Sequence, residues 1–135
     1  MPALTRPSRH IGIRIEAPYA RVHAFLADPA NWPRWAEGLG SMQHHDDGRW
    51  TASQADGAEV TIVFSPPNEL GVFDHRVTFA DGRCIDVPLR LLRNGDGAEL
   101  VLTLFRQPEM DDALFDRDAD WVRQDLERLK AAVER

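Results

Sequence analysis

The C-terminal stretch constrains the rest of the chain most. Across residues 111–134, Phe115, Ala119, Val122, Leu126, Leu129 and Val133 recur at alternating steps of four and three. That spacing places them on one stripe and predicts a single long amphipathic helix. Asp111 stands where its carboxylate can accept the helix's free N–H groups, and Pro108 marks the chain just upstream as non-helical. Acids crowd the first half (Asp112, Asp116, Asp118, Asp120), whereas Arg128, Lys130 and Arg135 sit near the end, as the helix dipole favours. At about 1.5 Å per residue the helix runs roughly 35 Å. No other stretch carries a comparable helical pattern. The upstream segments therefore supply the surface that this stripe covers.

Upstream, residues 10–16 alternate, with Ile11, Ile13 and Ile15 facing one way and His10, Gly12 and Arg14 the other, which predicts a half-buried strand. Pro18 suits the first turn of a helix, and Val22, Phe25 and Leu26 give it a short apolar face through about Ala27. Asp28-Pro29 repeats the signal as an N-cap followed by a proline at the first helical position. Trp32 and Trp35 share a face of this second short helix, which Pro33 keeps short and Gly38 and Gly40 close.

Strands separated by turn signals follow: residues 41–45, 49–54, 59–65, 72–80, 83–93 and 98–106. The turns between them are Asp46-Asp47-Gly48, Ala55-Asp56-Gly57, Pro66-Pro67-Asn68, Asp81-Gly82 and Asn94-Gly95-Asp96-Gly97. The predicted fold is α+β: a curved antiparallel sheet of about seven strands wrapped on the long C-terminal helix, with two short helices after the first strand. Twist curls such a meander, and a curled sheet gripping one helix leaves a space between them where small apolar ligands bind.

At 135 residues the chain reads as a single domain over residues 9–135, with residues 1–8 a short tail that holds two prolines and no apolar signal-peptide core. A net charge of −6 with scattered arginines argues against nucleic acid or an anionic membrane as partner. Cys84 is the only cysteine, which excludes an internal disulfide and a thiolate metal site within one chain, and its place in a strand predicts a small packing residue. No apolar run approaches the ~20 residues of a membrane span, so a cytoplasmic protein is expected.

The segments Ile15-Glu16-Ala17-Pro18 with Val22 to Phe25, then Asp28-Pro29-Ala30-Asn31-Trp32-Pro33-Arg34-Trp35, resemble the START-like helix-grip superfamily, the SRPBCC group, in its bacterial polyketide cyclase/dehydrase-like branch. Gly71-Val72-Phe73-Asp74-His75, Leu102-Thr103-Leu104-Phe105-Arg106 and Asp120-Trp121-Val122 continue the likeness, which covers nearly the whole chain. The resemblance implies a ligand cavity. It implies no catalytic residue by itself, because the superfamily shares a cavity across lipid carriers, hormone-binding proteins, cyclases, oxygenase domains and chaperone-ATPase activators. The histidine–carboxylate metal set of the oxygenases is not recognisable here, and no cofactor is expected.

Among single residues His75 is the candidate catalytic group. It shares strand parity with Phe73, Val77 and Phe79, so it points to the covered face, where an imidazole can move a proton near neutral pH. The alternative is a histidine tied to a backbone group or a cross-strand acid. The expected ligand-binding set is Trp35, Trp50, Phe64, Phe73, His75, Val77, Leu89 and Trp121, with Trp35 and Trp50 at the mouth. Asp74, Arg76, Asp86 and Arg90 fall on the opposite parity and are expected as ion pairs on the outer face, unless Pro88 introduces a bulge. His44 and His45 point to opposite faces and do not converge on a metal, and His10 and His23 are read as surface residues. Ser41, Ser53 and Ser65 lack a paired base in any recognisable motif.

Three functions fit. The first is a protein that binds a small hydrophobic or aromatic molecule, lipid- or polyketide-like, in an internal cavity. The second is a polyketide cyclase or dehydratase with His75 as proton shuttle. The third is a chaperone-ATPase-activator-like adaptor. Sheet edges invite dimerisation and acidic charge opposes it, so the chain is expected as monomer or homodimer.

Overall fold

The computed structural model describes residues 3–135, so the first two residues of the expected tail lie outside the described residues. Strand β1 (Ser8–Ile15) is followed by helix α1 (Tyr19–Ala27) and a 3-10 turn (Pro29–Arg34). Then come β2 (Met42–His44), β3 (Trp50–Ser53), β4 (Glu59–Phe64), β5 (His75–Thr78), β6 (Cys84–Val87), β7 (Leu89–Asn94) and β8 (Gly97–Phe105), and the chain ends in helix α2 (Asp112–Val133). Ser8, expected in the tail, already pairs with Phe105.

Two antiparallel ladders run in the orders β1-β8-β7 and β2-β3-β4-β5-β6. They are continuous in space. Val72 bridges Arg90 in the same register that pairs His75 with Val87. The N–H of Leu91 donates to the Gly71 carbonyl at 2.8 Å, and that of Phe73 to the Leu89 carbonyl at 2.8 Å. The expected strand over residues 83–93 is thus divided at Pro88, which has no N–H to offer the ladder. No bulge results, because the carboxylate of Asp74, opposite the break, accepts the Leu89 N–H at 2.9 Å. Face parity survives the proline. Arg76 pairs with Asp86 at 2.7 Å and Arg90 with Asp74 at 2.7 Å on the outer face.

The stripe of α2 is buried as its spacing predicts. Phe115, Ala119, Leu126, Leu129 and Val133 lie in the core and Val122 is half-buried. Asp111 is the N-cap, its carboxylate accepting the Leu114 N–H at 2.8 Å. At the other end, Arg21 of α1 donates to the Val133 carbonyl at 3.1 Å and Lys130 to the Arg14 carbonyl at 2.9 Å, tying the helix to α1 and β1. The main core joins α1, the 3-10 turn, β1, β7, β8 and α2, with Leu26, Leu89, Leu91, Leu100, Leu126 and Leu129 almost fully enclosed. A smaller core gathers Ala52, Val60 and Ile62 at the far end of the sheet. Cys84 is not a packing residue. It lies exposed on the outer face, its sulfur 3.4 Å from the Thr78 hydroxyl, because its strand parity is that of Asp86. Among the described residues no helix is long and apolar enough to cross a membrane.

Candidate functional site

A pocket of about 420 Å³ opens where α1 and the start of the 3-10 turn meet the concave face of β2, β3 and β4. Helix α1 contributes His23, Leu26 and Ala27, β2 contributes His44, β3 Trp50 and β4 Phe64, while Val72 and Phe73 close the end nearest β5. The remaining wall is the loop after β4, with Ser65, Pro66, Pro67 and Asn68. This size lies at the lower end of the ~300–1,000 Å³ common for small-molecule sites. A larger concavity of about 730 Å³ runs between β1 and α2, but it is open and edged by Arg14, Glu16, Glu127, Lys130 and Glu134. Charged side chains around an open groove hold water well, so the smaller, more enclosed apolar pocket is the better small-molecule site.

Local chemistry shapes the pocket. The Asn68 side chain knots its loop: its amide nitrogen donates to the carbonyls of Pro66 at 3.0 Å and Val72 at 2.9 Å. Its oxygen accepts the N–H groups of Leu70 at 2.9 Å and Val72 at 3.2 Å. Gly71 lets the loop reach β7. Its φ is +82°, and a Cβ there would stand 2.2 Å from the Leu91 carbonyl oxygen, a contact no side chain tolerates. From α1, His23 donates through Nε2 to the Asn68 carbonyl at 3.0 Å and meets the Phe73 ring edge-on at 5.2 Å. Across the pocket, His44 stacks on Trp50, its cross-strand partner, with ring centroids 4.7 Å apart and planes 25° from parallel.

His75 sits behind Phe64, its partner across β4 and β5. Nδ1 donates to the Phe73 carbonyl at 2.9 Å, which leaves Nε2 as the lone-pair nitrogen of the neutral ring. The imidazole stands perpendicular to Trp32 at 4.9 Å and tilted to Phe64 at 5.7 Å. Burial pushes its pKa below the ordinary histidine value, and the Phe73 carbonyl and the Asp74 charge only partly oppose this. At neutral pH it is an uncharged imidazole with an acceptor to spare.

Of the eight residues expected to bind ligand, the structure brings Trp50, Phe64 and Phe73 together around the pocket, with His75 one ring behind. The other four lie elsewhere. Trp35 packs on Trp32 at 4.9 Å in the main core, 3% exposed, rather than at the mouth, and its Nε1 is buried without a partner among the described residues. Leu89 is fully enclosed in the same core. Val77 packs against the small core, and Trp121 is 46% exposed on α2 beside Gly38. His23 and His44 were not expected here. Both carried a signal: His23 is one helical turn from Tyr19 and from Leu26 on the buried side of α1, and the turn after His45 places His44 opposite Trp50. His45 turns away to the Thr51 hydroxyl at 2.8 Å, and among the described residues no group of three or more His, Cys, Asp or Glu is placed to hold a metal.

No protein-family model and no curated protein sequence matches this chain. Solved structures do. An uncharacterised Bacillus thuringiensis protein superposes with a TM-score of 0.77 at 10% identity, over 94% of this chain and 98% of that one. A START superfamily protein from Mycobacterium smegmatis gives 0.70 at 11% identity, over 94% and 97%. The di-domain aromatase/cyclase StfQ from the steffimycin biosynthetic pathway gives 0.66 at 16% identity, over 94% of this chain and 45% of that longer one. Identities this low establish architecture alone, and the architecture they share with this chain is a START-like helix-grip fold.

Proposed function

We propose that this protein binds a small hydrophobic or aromatic molecule in the pocket between α1 and the concave face of the sheet. One observation carries the reading: a partly enclosed space of about 420 Å³ walled by Trp50, Phe64 and Phe73, with no Lys, Arg, Asp or Glu on its lining. The fold shared with a START superfamily protein and with a polyketide aromatase/cyclase supports it. Native mass spectrometry of the freshly purified protein, with organic extraction of what co-purifies, tests it. A discrete apolar adduct that is lost in a Trp50→Ala variant is the expected result. An adduct retained at full occupancy by that variant places the ligand elsewhere and defeats the assignment.

A second reading, a cyclase- or dehydratase-type enzyme, is favoured by His75, whose Nδ1 is tethered and whose Nε2 is left as an acceptor. From the α1 pocket Phe64 would have to yield before a substrate reached the imidazole, whereas His75 also borders a separate open depression with Phe64, Ser65 and Val87. In that case His75→Gln, which keeps a polar side chain of similar reach, abolishes turnover of an extracted substrate while its affinity persists. Undiminished turnover in the variant removes His75 from the chemistry.

A further inference from the structure

We infer that the pocket selects an uncharged planar aromatic molecule bearing hydroxyl donors, a phenol, over fatty acids and other charged lipids. The inference deepens the ligand-binding reading and rests on it. The first ground is charge. No Lys, Arg, Asp or Glu lines the pocket, so a carboxylate or phosphate headgroup carried inside meets no fixed positive charge, and the imidazoles of His23 and His44 are the only ionisable side chains there to offset its lost hydration.

The second ground is the supply of free hydrogen-bonding groups. Asn68 has spent both donors and its acceptor on its own loop. The Ser65 hydroxyl donates to the Asp74 carbonyl at 2.8 Å, which leaves only its lone pairs. His23 spends its Nε2–H on the Asn68 carbonyl, and in the tautomer this bond selects Nδ1 carries the lone pair. His44, exposed at the rim of the pocket, has no hydrogen-bond partner on either ring nitrogen among the described residues, and its imidazole can offer one acceptor and one donor. Acceptors therefore outnumber donors on the lining. A ligand that satisfies them brings O–H groups.

The third ground is shape. The stacked His44–Trp50 pair gives the sheet side a flat aromatic face, and the edge-on His23–Phe73 pair gives the helix side another aromatic wall. Flat rings match such walls better than a flexible acyl chain, which must also surrender rotamer freedom to fit. Helix α2 contributes none of the lining, so this ligand sits under α1 and not between α2 and the sheet.

Titration of the intact protein with matched probes at neutral pH tests the inference: naphthol, naphthoate, methylnaphthalene, decanol and decanoate, followed by calorimetry and by tryptophan fluorescence. Naphthol is expected to bind about tenfold or more tighter than naphthoate, decanol and decanoate. In His44→Phe, which keeps a ring on Trp50 but removes the nitrogens, naphthol falls to the affinity of methylnaphthalene. Methylnaphthalene itself holds its affinity, which shows that the pocket remains folded. Naphthoate or decanoate binding as tightly as naphthol overturns the chemical class while leaving a ligand pocket in place. Failure of all five probes to bind overturns the pocket reading itself.

Discussion

At the scale of single residues, the clearest titration is that of Asp125 on α2. Its carboxyl is pushed up from 3.8 to about 6, chiefly by burial, against the opposing pull of the Glu37 N–H and the Arg128 guanidinium. The surrounding groups are Arg128 on the same helix, which pairs with both Asp125 and Glu37, and the Glu37 carboxylate and Trp35 carbonyl on the segment that follows the 3-10 turn. A carboxyl raised in the folded state holds a proton that the unfolded chain has already released between those two values. Its contribution therefore favours the fold at acidic pH and is lost as pH rises from about 4 to about 6, by roughly 1–2 kcal/mol once solvent screening is allowed for. Asp125→Asn keeps an acceptor for the Glu37 N–H and removes the charge. Urea denaturation is expected to show the variant at least as stable as the parent at neutral pH, with the parent's decline across this window absent. An unchanged slope would assign the decline to other groups. Asp74 and Asp86, held low by their arginine partners, lose their contribution only at more acidic pH. Strand parity made the faces of His75, Asp74, Arg76, Asp86 and Arg90 legible in the sequence. It did not place Trp35 or Trp121, whose surroundings depend on how a 3-10 turn and a helix edge close on one another.

At the scale of elements, the sequence was most readable where one period runs long. The α2 stripe fixed both the helix and its buried face, and Leu126 and Leu129 are each about fully enclosed, at 1% and 0% exposure. Truncating Leu126 to alanine leaves a gap in the main core that its packed neighbours only partly refill, at roughly 2–5 kcal/mol. Chemical denaturation measures this, and a loss below about 0.5 kcal/mol would mean that the stripe does not grip the sheet. The split at Pro88 was foreseeable as an irregularity, yet its outcome was not. Register held because the Asp74 carboxylate takes the Leu89 N–H, and such a side-chain repair leaves no periodic trace. The loop after β4 is the harder case. Its path is set by four bonds of the Asn68 side chain and by the positive φ of Gly71. Two prolines and an asparagine announce a turn; they do not announce that the turn folds back as a pocket wall.

At the scale of the whole molecule, the grip and the pocket are separate pieces of construction. Helix α2 is held by β1, α1 and the leucines of the main core, whereas the pocket is built from α1, β2, β3, β4 and the Asn68 loop, without α2. Order of elements alone predicted the first piece, because a single long apolar stripe must be covered by whatever sheet precedes it. The second piece follows from cross-strand and loop contacts that only the folded chain displays. This separation has a measurable consequence. Perturbations at sites with no shared partners add within about 0.3–0.5 kcal/mol. A ligand of the pocket stabilises the fold by an amount that depends on its concentration relative to Kd, about 2.7 kcal/mol at a hundredfold excess. Leu126→Ala is therefore expected to lower stability with and without ligand by the same amount, leaving ligand-induced stabilisation intact. Leu26 is the contrasting position, since it is buried in the core and also lines the pocket. Leu26→Ala is expected to lose stability and ligand stabilisation together. Thermal and chemical denaturation of both variants across a ligand series decides the matter. Coupling well above 0.5 kcal/mol between Leu126 and the ligand would mean that the long helix shapes the pocket from a distance, and that grip and site are one unit after all.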